Sequence, residues 1–182
     1  MRIITGKYKG RHFEVPRSFK ARPTTDFAKE NLFNVLRAYL DFEMTEALDL
    51  FGGTGSISLE LLSRGCPNVT TVEKDRQHFA FIVGVLKHLG DSAAHPVCYD
   101  ALKYIERSPG GFDFVFADPP YALPQLSELP DRVFGSRLLK PEGLFVLEHG
   151  RNNDFKEHPF FLEQRTYGSV NFSFFKRREI QP

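Results

Sequence analysis

The chain has 182 residues, 41% of them hydrophobic and 26% charged, with 14 glycines and 12 prolines, a balance that supports one self-sufficient core and excludes a disordered or collagen-like polymer. The formal charge of +1 conceals an asymmetry: residues 1–23 carry seven cations against Glu14 alone, a net +6 that leaves −5 for the remainder. The longest apolar run, residues 79–86, is far short of the roughly 18 that span a bilayer; the N-terminus meets charge and glycine at once, and Cys66 and Cys98 form no CxxC pair, so a cytoplasmic protein with both cysteines in its core is expected.

In chain order, residues 2–5 and 12–15 read as two short strands around Lys9-Gly10, a basic hairpin. Its cations, among them Arg2, Lys7, Lys9, Arg11 and Arg22, suit a polyanionic partner, because each one that neutralises a phosphate releases condensed counterions. Tyr8, Phe13 and Phe19 interleave them and offer faces on which unpaired bases could stack. The alternative is a solvated hairpin whose aromatics pack inward. Arg22-Pro23-Thr24-Thr25-Asp26 then leads into a helix with Ala28, Leu32, Val35, Leu36 and Tyr39 at helical spacing.

From residue 47 strands and helices alternate, the sign of a parallel sheet covered on both faces. Strands are expected at 47–51, 69–73, 96–99, 112–117 and 143–148. Helices built on Ile57, Leu61 and Leu62 and on Phe79, Ile82, Val83 and Leu86 stop at Gly65 and Gly90. The segments 160–166 and 170–176 flank Tyr167-Gly168-Ser169 and read as an antiparallel hairpin that finishes the sheet.

Asp49-Leu50-Phe51-Gly52-Gly53-Thr54-Gly55 stands where the first strand hands over to a helix, so glycines there admit a ligand to the backbone at the carboxyl edge of the sheet. Glu73 ends the next strand, where a carboxylate can accept from both hydroxyls of a ribose. A dinucleotide would want a third small residue at position 58, which is Ser58, and its pyrophosphate would be repelled by Asp49. S-adenosylmethionine carries an ammonium and a sulfonium and no phosphate, so Asp49 favours it. Asp100-Ala101, after the third strand, could hold adenine through its exocyclic amine; a plain helix N-cap is the alternative.

The fourth strand runs into Asp118-Pro119-Pro120-Tyr121, the most specific signal in the chain. A rigid turn is the bland explanation. The chemical one begins from an amino group on an aromatic base, whose lone pair is delocalised into the ring. Asp118 and the Pro119 carbonyl would accept its N–H bonds and aim that lone pair at a methyl sulfonium; Pro119 and Pro120 would hold the acceptors rigid, and Tyr121 would stack on the extruded base.

With these residues assembled, the chain resembles the class I, S-adenosylmethionine-dependent methyltransferases. More closely it is similar to the RsmD family, bacterial enzymes that methylate guanine N2 in 16S rRNA. The likeness rests on Arg2-Ile3-Ile4-x-Gly6-x-x-x-Gly10-Arg11, Arg22-Pro23-Thr24-Thr25-Asp26 with Glu30 and Leu32-Phe33, the turn from Asp49 to Gly55, and Phe116 through Tyr121. It implies a Rossmann-like α/β fold: a mostly parallel seven-stranded sheet ending in an antiparallel hairpin, with residues 1–40 as a basic RNA-gripping extension and 41–182 as the catalytic domain. It also implies a monomer acting on small-subunit rRNA or its assembly particle, with Asp49, Phe51, Gly53 and Gly55 around the methionyl part of the cofactor, Glu73 on ribose and Asp100 near adenine. Three departures stand out: Gly52 where relatives often have alanine, Lys29 where arginine is common, and a short stretch from 122 to 139.

Other readings keep a place. A DNA adenine N6 or protein glutamine N5 methyltransferase shares the four-residue motif, a nicotinamide oxidoreductase would leave that motif without a role, and a non-catalytic RNA-binding module would not need the glycine turn. The six histidines show no metal-ligand spacing, so no metal is expected.

Overall fold

A computed structural model describes residues 1–20 and 24–177; Arg22 lies outside the described residues. Seven strands form one sheet in the order β3-β2-β1-β4-β5-β7-β6. The strands are β1 (Glu46–Leu50), β2 (Asn68–Glu73), β3 (Ala94–Cys98), β4 (Phe112–Ala117), β5 (Leu139–His149), β6 (Phe161–Tyr167) and β7 (Val170–Lys176). β1 to β5 pair in parallel, while β7 runs antiparallel to both β5 and β6. The central strands are nearly continuous Val, Leu and Phe runs because both of their faces are covered.

Ala47, Val69, Phe114, Phe116, Leu144 and Val146 on one face pack with α1 (Asp26–Leu36), α2 (Ser56–Ser63) and α3 (Arg76–Leu89). Leu48, Leu50, Val115, Ala117, Phe145 and Leu147 on the other pack with α4 (Ala101–Arg107) and α5 (Leu129–Gly135). Strand order reverses between β1 and β4, and the crevice beyond their carboxyl ends is where an open α/β sheet takes ligands. Thr25 caps α1 by accepting from Ala28 N at 3.2 Å, and Gly90 closes α3 in the left-handed conformation.

Three expectations are corrected. The N-terminal segments do form a hairpin, held by backbone bonds such as Ile3 N to Arg11 O at 3.0 Å and Phe13 N to Met1 O at 2.9 Å, but its pairing is the single bridge Arg2–His12 rather than two strands. The next amides, of Ile4 and Thr5, donate to Glu60 of α2 at 2.9 and 3.0 Å. Cys98 is exposed, since β3 is an edge strand, whereas Cys66 is buried. The third strand begins two residues earlier than its apolar content suggests, and its Pro96 is tolerated because the strand lies at the edge.

Candidate functional site

Leu50 pairs with Ala117, so the glycine turn after β1 and Asp118 after β4 leave the sheet side by side, and Asp118 N donates to Leu50 O at 3.3 Å. The turn holds unusual backbone: Phe51 has φ 60°, Gly53 58° and Gly55 78°. A non-glycine residue held there stores strain on the order of 1–3 kcal/mol, as functional turns often do. A Cβ on Gly55 would lie 3.2 Å from Ile82 Cγ1 of α3, and Gly55 begins α2 with no side-chain cap of its own; of the helix's first amides, that of Ser58 donates to Asp49 Oδ2.

Two carboxylates frame this turn. Glu73 Oε2 accepts from Gly53 N at 2.8 Å and Oε1 from Asp75 N at 2.7 Å, leaving lone pairs on both oxygens. Asp49 Oδ2 accepts from Ser58 Oγ at 2.7 Å and Ser58 N at 3.2 Å, while Ser58 Oγ also lies 2.6 Å from Thr71 Oγ1. Ser58, the residue that breaks the dinucleotide pattern, is thus the one that holds Asp49. Burial pushes the Asp49 carboxyl up to about 7 despite those bonds. Asp100 caps α4, accepting from Lys103 N at 3.1 Å, and Ala101 is the buried first residue of that helix.

The turn, its glycines and the flanking carboxylates suit a cationic nucleoside ligand such as S-adenosylmethionine.

At the end of β4, Pro119 is buried and Pro120 exposed, and the Pro120 carbonyl accepts from Leu123 N at 2.8 Å. The Tyr121 ring is 49% exposed and rests on the backbone of Gly150, where a Cβ would meet it at 3.1 Å. Its hydroxyl donates to Glu148 Oε1 at 3.1 Å, and Thr24 Oγ1 reaches Oε2 at 3.4 Å. Burial, with Glu148 and then Asp118 adding to it, pushes the phenol upward. Asp118 is likewise pushed well up by burial and by the neighbouring Glu148 and Asp49, and burial raises Glu148 to about 7. The site therefore holds three crowded acids, Asp49, Asp118 and Glu148.

Sequence reasoning missed Glu148, Gly150 and Thr24. The available signal was strand order, because a strand beside β4 must deliver its own carboxyl end next to Asp118. The structure does not gather the basic candidates into this cleft. Arg2 pairs with Asp26 at 3.0 Å and Lys7 with Asp91 at 2.8 Å, while Lys9 and Arg11 are exposed. The interleaved aromatics pack inward: Tyr8 donates to Asp91 at 2.8 Å, Phe13 meets His88 edge-on, and Phe19 lies 4.4 Å from His78 and 5.4 Å from Phe81. Among the described residues no helix is long and apolar enough to cross a membrane.

A family model described as "Conserved hypothetical protein 95" matches residues 1–176. Two relatives are named ribosomal RNA small subunit methyltransferase D. The Escherichia coli K12 protein is 30% identical, with 97% of this chain and 90% of the relative covered. The Haemophilus influenzae protein is 32% identical, with 97% and 93% covered. Among solved structures, yhhF from Escherichia coli superposes with a TM-score of 0.84 at 29% identity over 97% of either chain. A hypothetical protein of Thermus thermophilus gives 0.84 at 28% over 97% of this chain and 99% of that one.

Proposed function

The chain belongs to the RsmD family of methyltransferases, and from that membership we propose that it transfers a methyl group from S-adenosylmethionine to the N2 amino group of a guanine in small-subunit rRNA. One observation carries the reading: Asp118-Pro119-Pro120-Tyr121 emerges from β4 directly beside the glycine turn of β1.

Asp49, Phe51, Gly53 and Gly55 would receive the methionyl end of the cofactor, Glu73 the ribose, and Asp100 and Ala101 the adenine. S-adenosylmethionine supplies an electrophilic methyl on a sulfonium. The protein's part is orientation. Asp118 and the Pro119 carbonyl accept the two N–H bonds of the target amine, and among the described residues no group already donates to that carbonyl. Once methylated the nitrogen is cationic and gives up its proton readily to water, so Asp118 need not act as a strong base. Tyr121, backed by Gly150 and anchored by Glu148, offers a fixed ring for the flipped base to stack on.

Residues 1–40 would contact RNA through Lys9 and Arg11, with Arg2, Lys7 and Arg22 adding charge, and the enzyme would work as a monomer on rRNA or its assembly particle.

The test is methyl transfer to small-subunit rRNA and to its assembly particle, followed by nucleoside digestion and mass spectrometry. N2-methylguanosine is the expected product. A methyl on adenine N6 or on a protein amide would overturn the substrate, and no transfer to any of these would overturn the activity.

A further inference from the structure

Ala117 of β4 pairs with Leu147 of β5, so the residues that follow, Asp118 and Glu148, stand side by side at the carboxyl edge of the sheet and on the same face. Glu148 is only 6% exposed; the Tyr121 hydroxyl donates to its Oε1 and the Thr24 hydroxyl to its Oε2, and the neighbouring Asp118 carboxyl is its third partner. An ionised carboxylate has about four acceptor positions, so Glu148 keeps capacity for a ligand donor beyond its two hydroxyls.

Among the described residues no cation offsets this pair. The charges acting on Asp118 are Glu148 and Asp49, both acidic, and the partners of Glu148 are Tyr121, Thr24 and Asp118. Two adjoining carboxyls, one buried and one half-buried, without a counter-charge among the described residues weaken a fold, which marks the arrangement as serving a ligand that brings its own donors.

An amino-methyltransferase needs only one such carboxyl to direct the amine. Guanine, however, presents two neighbouring donors on its Watson–Crick edge, N2–H and N1–H. Adenine places an acceptor, N1, beside its amino group, and a second carboxylate would repel it. A glutamine side chain has a carbonyl beside its amide nitrogen and fits no better.

Resting on the functional reading above, we propose that Glu148 is the specificity residue for guanine, accepting N1–H while Asp118 accepts N2–H, with the Tyr121 and Thr24 hydroxyls holding its carboxylate in place. The four-residue motif then selects the reaction, and Glu148 selects the base.

The experiment uses an rRNA fragment that the wild-type protein methylates, with the mapped guanine replaced by 2-aminopurine. This base keeps the 2-amino group but has an unprotonated N1. Wild-type kcat/KM is expected to fall at least about 100-fold, since a site built to bond an N–H strongly rejects an analogue lacking it. In Glu148→Gln the amide can turn its NH2 toward the bare N1, and the guanine-to-2-aminopurine ratio should narrow at least tenfold. S-adenosylmethionine affinity and a cooperative melt check that this variant is folded.

A wild-type ratio below about tenfold overturns the inference without any variant, and so does a Glu148→Gln ratio equal to the wild-type one. In both cases N2-methylguanosine would still form on guanine and the functional reading would stand. Failure to form it in any small-subunit rRNA substrate would overturn the reading and the inference together.

Discussion

Lys29 Nζ lies 3.6 Å from Glu60 Oε2, and both side chains are sealed from solvent. The ammonium also donates to Arg2 O at 2.5 Å and Ser56 Oγ at 3.1 Å, so its three hydrogens join the N-terminal arm, α1 and the first turn of α2. Glu60 in turn accepts from Ile4 N, Thr5 N and Arg64. Lys29→Met should cost about 1–3 kcal/mol, because Glu60 keeps Arg64 and two amides but loses the ammonium, and Arg2 O and Ser56 Oγ each lose a donor. Urea denaturation measures the loss, and hydrogen exchange at Ile4 and Thr5 should accelerate beyond the global change. Wild-type protection of those two amides would show that the arm docks without Lys29.

The same contacts change how the arm's charge must be tested. Ile3 is 1% exposed within the core and all of α2 is buried, so deleting the arm would open the fold. Lys9 and Arg11 are exposed and pair with no carboxylate among the described residues. Lys9→Gln with Arg11→Gln should leave stability unchanged. If both contact single-stranded phosphate, the slope of log affinity against log salt should become shallower by about 1.4. An unchanged slope would confine these cations to a solvated surface.

Much of this architecture was readable because the strands that position the site are buried on both faces and show as apolar runs. β1, β2 and β4 are examples, and the acidic ends of β2 and β4 are motif residues. What escaped the sequence depended on neighbours far along the chain. Glu148 reads as the last residue of a strand until β5 is known to lie beside β4. Lys29 falls on the same helical stripe as Leu32, Phe33 and Leu36, a hint that it is buried, but its partner is 31 residues away. α5 was missed because residues 122–138 mix Pro, Ser and charged residues with only one turn of apolar spacing.

Gly52 lies in the turn where packing leaves no room for a side chain. A Cβ there would lie 2.6 Å from Thr71 Cγ2, too close unless one of them moves. Gly52→Ala should destabilise by about 1–3 kcal/mol through overpacking. Adding Thr71→Ser removes that methyl and keeps the 2.6 Å hydroxyl contact with Ser58, so the double variant should regain most of the loss. Additive losses in the two single variants would place the strain elsewhere.

Asp49 gives stability a pH dependence of definite sign. Its carboxyl is raised from 3.8 to about 7 by burial, so between those values the folded chain holds a proton that the unfolded chain has released. Its contribution is complete below about pH 4 and is lost as pH rises through about 7, amounting to at most about 4 kcal/mol. Asp49→Asn keeps an oxygen to accept from Ser58 and does not titrate. The stability difference between variant and wild type should therefore shift toward the variant from pH 5 to pH 8 by denaturant titration. A difference constant with pH would mean that Asp49 is ionised throughout.

Asp118 tests the chemistry at its centre. Its place beside the glycine turn, and the proposed use of the Pro119 carbonyl as a second acceptor, make it an orienting group for the target amine. Asp118→Ala removes one acceptor and should cost about 2–4 kcal/mol of transition-state stabilisation, the scale of a charge-assisted hydrogen bond lost from a dry site. Asp118→Asn should retain part of the rate, because its amide oxygen can still accept an N–H with similar geometry. Relieving the crowding with Glu148 should also leave the Asn variant at least as stable as wild type near neutral pH. Methyl transfer to rRNA, read by mass spectrometry of the digested nucleosides, gives the rates. Were the carboxylate needed as a base, Asn would be as inactive as Ala; full activity of Asp118→Ala would remove the residue from the mechanism altogether.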